Sequence, residues 1–109
     1  MADALEVHVT LPNTDAARAL GRTLVEERLA ACVNIVPGVV SIYRWEGTIH
    51  EDGEVLCLVK TSPDCFERLR ARVLELHPYE VPEVLALAVD DGSRDYLDWL
   101  HRNTRPAAD

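Results

Sequence analysis

Apolar and polar residues alternate from Leu5 to Leu11, with Leu5, Val7, Val9 and Leu11 set against Glu6, His8 and Thr10. A period of two puts the apolar set on one side of an extended chain, so the pattern predicts a strand with one wetter face. Pro12 ends it, because proline has no N–H to give a ladder. Asn13, Thr14 and Asp15 are N-cap types. Ala17, Leu20, Leu24 and Val25 then recur at helical spacing, opposite Arg18, Arg22 and Glu26, which predicts a helix to about Leu29.

Ala31 to Val36 is a second β-prone run. Pro37-Gly38 interrupts it as a bulge or bend does, without ending it. Val39, Val40, Ile42, Tyr43 and Trp45 carry the character on, so this strand is expected to be long and bent. Gly47 to Gly53 holds polar turn residues and predicts the hairpin connection. Glu54 to Thr61 is the third strand. Ser62-Pro63-Asp64 offers a cap, a proline at the first helical position and an acid at the positive end of the helix dipole. Phe66, Leu69, Val73 and Leu76 form that helix's buried stripe, and His77-Pro78 stops it. Tyr79 to Glu83 should be extended, since prolines flank and interrupt it. Val84 to Val89 is the fourth strand. Asp90-Asp91-Gly92 turns the chain, and Ser93 caps a short helix carrying Tyr96, Leu97, Trp99 and Leu100. Residues 103 to 109 read as a loose tail.

The order β-α-β-β-α-β plus a terminal helix predicts an α+β, ferredoxin-like domain, with an antiparallel sheet and both long helices on one face. The other face should then meet water, and its strands should alternate. The first strand does. Val55-Leu56-Cys57-Leu58-Val59 and Val84-Leu85-Ala86-Leu87-Ala88-Val89 are apolar on both sides. Each large side chain left bare forgoes about 1.5–3 kcal/mol of burial. The terminal helix is too short to cover them all, so self-association through the sheet is expected.

Composition narrows the function. The 109 residues make one domain, 1–109. The net charge of −8 disfavours a nucleic-acid partner, which would need a basic face. Of the three cysteines, Cys32, Cys57 and Cys65, none forms a CxxC pair, and they read as buried, reduced thiols, which points to the cytoplasm. No signal-peptide pattern opens the chain, and no apolar run approaches the ~20 residues of a membrane span.

Three segments, taken in order, resemble the CutA family of divalent-cation tolerance proteins: Leu29-Ala30-Ala31-Cys32-Val33-Asn34-Ile35-Val36-Pro37-Gly38, Ser41-Ile42-Tyr43-Arg44-Trp45-Glu46-Gly47 and His77-Pro78-Tyr79-Glu80-Val81-Pro82-Glu83. Tyr96-Leu97-Asp98-Trp99-Leu100 is similar to the family's closing helix. The resemblance implies a ferredoxin-like fold, a homotrimer like that of PII-type signalling proteins, a cytoplasmic location, and an association with copper and other divalent cations. It supplies no molecular activity, and no required cofactor is expected. Family members that bind copper are thought to use a first-strand cysteine and histidines just before the proline. Here those positions read Val9, Leu76 and His77, so His77 alone carries over as a metal ligand.

The segment from His77 to Glu83 is the first candidate site, since imidazole suits copper and zinc while carboxylates suit harder ions. It also has an architectural reading, in which His77 ends a helix and complements its dipole. The second candidate is an intersubunit cleft lined by Trp45, Glu46, Lys60, Tyr79 and Glu80. Lys60, the sole lysine, is expected either to pair with Glu46 or Glu80 or to present its ammonium to an anion. That gives the alternative function, a scaffold or small-anion and metabolite sensor. Neither a glycine-rich phosphate loop nor a nucleophile elbow is present, so catalysis is not expected.

Overall fold

The first alternating run forms β1 (Ala4–Leu11), an inner strand of a four-stranded antiparallel sheet. The computed structural model describes residues 3–105. After β1 come α1 (Thr14–Glu26), β2 (Cys32–Trp45), β3 (Thr48–Thr61), a 3-10 turn (Pro63–Cys65), α2 (Phe66–Leu76), β4 (Leu85–Val89) and α3 (Arg94–Asn103). The sheet order is β2-β3-β1-β4, the α+β, ferredoxin-like arrangement that the element order predicts.

Register decides which residues share a face. Val7 pairs with Val59 and Val9 with Cys57, and β2 brings Val33 and Ile35 to the same rows. This face lies under the helices: Leu20 and Leu24 of α1 and Leu69 and Val73 of α2 complete one core with Val7, Val9, Cys57 and Val59. Gly21 permits close approach of α1 to β2, since a Cβ there would sit 3.3 Å from Val33. The opposite, open face carries Glu6, His8 and Thr10, flanked by Leu56, Leu58 and Lys60 on β3 and by Leu85 and Leu87 on β4. α3 covers one end only: Leu97 and Leu100 pack on Ala4, Ala31 and Val89. Leu85 stays 57% exposed and Leu87 44%. In the single chain, the open face is left unfinished.

The bend predicted at Pro37-Gly38 is present as a register shift between Val36 and Val39, with Gly38 at φ 81°. Beyond it β2 and β3 run on as a two-stranded arm.

Several boundaries differ from expectation. Pro63 opens a 3-10 turn rather than α2, and neither Ser62 nor Ser93 makes a side-chain cap hydrogen bond. The hairpin connection is Glu46-Gly47, not Gly47 to Gly53, and Thr48 to Gly53 is strand. Both turn residues take positive φ, 50° and 78°, which suits the twist of a two-residue hairpin. α1 ends at Glu26 rather than Leu29. Arg28 turns left-handed at φ 61° and donates to the carbonyls of Arg102 and Arg105, each at 2.7 Å. β4 begins at Leu85, and Val84 packs against the core instead. Asn103 belongs to α3, and Thr104 is buried and donates from Oγ1 to the Leu100 carbonyl, so the tail begins later than residue 103. Residues 106–109 of that predicted tail lie outside the described residues.

Candidate functional site

Past the bulge, the alternation of β2 and β3 carries one set of side chains toward the loop that follows α2. Val39 pairs with Glu54, Ser41 with Asp52, Tyr43 with His50 and Trp45 with Thr48. Residues two apart on a strand share a side. Tyr43, Trp45, Asp52 and Glu54 therefore form one wall, and Tyr79 to Glu83 forms the other. Between them is a groove of about 910 Å3.

Two phenols tie the walls to their acids. Tyr79 donates its hydroxyl to Glu54 Oε2 at 2.8 Å, across the groove. Tyr43 donates to Asp52 Oδ2 at 2.5 Å, along the arm. Burial, and then the Glu54 carboxylate, push the Tyr79 phenol well above its ordinary value. The hydrogen bond to Asp52 does the same for Tyr43, with burial second. His50 stacks on Tyr43, ring centres 5.3 Å apart. The groove is thus lined by the carboxylates of Asp52, Glu54, Glu80 and Glu83, beside aromatic rings.

His77 sits beneath this groove and does not line it. It is the C-terminal cap residue of α2 and only 8% exposed. Its Nδ1 accepts from the Tyr79 N–H at 3.1 Å, so the proton is on Nε2, which donates to the Thr10 carbonyl at 2.7 Å. Both nitrogens are committed, and the ring packs 4.7 Å from that of Tyr79. In this geometry His77 fixes the start of the loop and the position of the Tyr79 ring.

Trp45, Tyr79 and Glu80 all line the groove within one chain. Glu46 does not join them, because it is a residue of the hairpin turn. Lys60 lies at the far end of β3, opposite Cys32 and Glu6. Its Nζ donates to Asn34 Oδ1 at 2.5 Å, and neither expected partner, Glu46 nor Glu80, is met. Sequence reasoning does not single out Glu54, and it reads Asp52 only with His50 and Glu51 as a turn able to bind a cation weakly. The signal available was the turn: a hairpin closed at Glu46-Gly47 puts both acids on the face of Tyr43. Among the described residues, no three His, Cys, Asp or Glu of one chain converge to hold a metal ion.

Residues 5–103 match the family described as CutA1 divalent ion tolerance protein. The chain is 57% identical over 98 residues to the divalent-cation tolerance protein CutA of Thermus thermophilus, covering 90% of this chain and 95% of that one. A solved structure of the Cut A1 protein from Thermus thermophilus superposes with a TM-score of 0.91 at 55% identity, covering 94% of this chain and 99% of that one. The chloroplastic protein CutA of Arabidopsis thaliana is 47% identical over 102 residues, 94% of this chain and 56% of that one, so the chain spans little more than half of that plant relative.

Proposed function

The chain belongs to the CutA1 divalent ion tolerance family, and from that premise we propose that it works as a homotrimer whose acidic groove, closed by a neighbouring subunit, meets a divalent cation. One observation carries this. The groove holds four carboxylates, yet the arm that walls it keeps large apolar side chains bare: Val40 is 64% exposed, Ile42 67% and Ile49 63%. A free arm of that kind gains stability only when another copy covers it. The arm's neighbour then also narrows the groove and excludes water from its carboxylates, and carboxylates so placed attract a cation.

The donor set favours hard ions, because oxygen ligands suit magnesium, manganese or calcium better than copper. Copper would recruit His77 only by displacing one of its two hydrogen bonds. The role is binding and response, with no catalytic step. The net charge of −8 supports cations rather than nucleic acid as partners. The free cysteines Cys32, Cys57 and Cys65 suit a reducing cytoplasm. Among the described residues no helix is long and apolar enough to cross a membrane. The small-anion alternative loses its main support, since Lys60 is not in the groove.

Calorimetric titration of the intact protein with Mn2+ and with Cu2+ tests the assignment. The expected result is Mn2+ heat that falls at least tenfold in affinity in Glu54→Gln and is kept in Lys60→Gln. Parent-like binding in Glu54→Gln would remove the groove from the account.

A further inference from the structure

The open face of the sheet carries a pair of side chains that the groove does not use. Glu6 and His8 are two apart on β1 and point to the same side. His8 Nε2 and Glu6 Oε2 are 2.9 Å apart, and the two side chains are 26% and 32% exposed. β1 lies between β3 and β4, so the pair sits in the middle of the face. His8 has Leu58 and Leu85 as cross-strand neighbours, and Glu6 has Lys60 and Leu87. The one cation in that ring is turned aside, because Lys60 donates to Asn34.

A second copy laid on these leucines takes Glu6 out of water. A buried carboxylate has to be paired or bound to a metal, and within one chain Glu6 has only its 2.9 Å hydrogen bond with His8. The incoming copy brings another carboxylate and another imidazole to the middle of the face, and these add no fixed positive charge. We propose that Glu6 and His8 are one part of a divalent transition-metal site, completed by the same pairs from the other two copies. Imidazole with carboxylate is a donor set that zinc and related ions accept. Ligand atoms about 2.0–2.1 Å from a tetrahedral ion stand about 3.3 Å apart, so the two atoms need to part only slightly from their 2.9 Å hydrogen-bond spacing. One chain supplies two such ligands, so the site is incomplete without its partners. The inference rests on the self-association proposed above and not on the acidic groove.

The test is calorimetric titration of the chelator-treated protein with Zn2+, with the mass followed by light scattering. The expected stoichiometry is one ion per three chains. Affinity should fall at least tenfold in His8→Ala and in Glu6→Gln, and should stay at the parent value in Glu54→Gln. The Glu6→Gln variant is the less disruptive of the two, so it decides the matter if His8→Ala fails to fold. An oligomer that binds Zn2+ equally in parent, His8→Ala and Glu6→Gln, or that takes one ion per chain, overturns the site alone. A monomer overturns both the site and the assembly beneath it.

Discussion

The two faces of one sheet differ more than their sequences do. Val59 and Leu58 are adjacent on β3 and similarly apolar, yet Val59 is fully buried under the helices and Leu58 faces the open side. The helix face is finished within one chain: Val7, Val9, Cys57, Val59, Leu69 and Val73 all reach zero exposure. The open face and the arm carry large apolar side chains, Leu85, Leu87, Val40, Ile42 and Ile49, that the single chain leaves exposed. This difference separates two tasks in the proposed assembly. One face folds the chain, and the other would meet further copies.

The sharpest way to separate the tasks is to damage each in turn. Leu69→Ala removes a fully buried side chain of the finished core. It should cost about 2–5 kcal/mol, read from denaturant unfolding at fixed protein concentration. A cost near zero would mean that the core is not where the fold is held. Ile42→Asp, on the bare side of the arm, should leave the secondary structure unchanged by circular dichroism. Losing one covered side chain at about 1.5–3 kcal/mol should weaken association roughly ten- to hundred-fold, seen as dissociation on dilution. An unchanged mass profile would place the interface elsewhere.

A smaller effect belongs to the groove. Tyr43 and Tyr79 both hold their protons above the ordinary value. The folded chain therefore keeps protons that the unfolded chain releases above about pH 10. Their stabilising contribution is complete below that pH and is lost as pH rises beyond it. Melting temperature should decline on the alkaline side, and Tyr79→Phe should flatten the decline. An equally steep decline in that variant would assign it to other groups.

Much of the fold was legible in the sequence because its signals are local. Asn13 caps α1 as its side chain suggests, accepting from Ala16 N–H at 2.8 Å. The bulge at Pro37-Gly38 and the two-sided apolar strands follow from residue type and period. The hairpin turn did not, because His50, Glu51, Asp52 and Gly53 are polar on both sides of an arm that leaves the sheet, and polarity without alternation looks like loop. That one error hid the site. With the turn at Glu46-Gly47, antiparallel pairing sends Lys60 to Cys32, as far from Trp45 as the strand allows, and brings Asp52 and Glu54 beside Tyr43. Tyr79 and Glu80 were found because the prolines around them mark a stiff loop. The committed state of His77 depends on Thr10, 67 residues away, and no local pattern reports such a contact.

The proposed trimer requires that copies of the same chain cover the open face and the arm. Light scattering behind a sizing column, at micromolar concentration and on serial dilution, measures this directly. The expected mass is three times the 12.2 kDa of one chain. A single species at 12.2 kDa would contradict it.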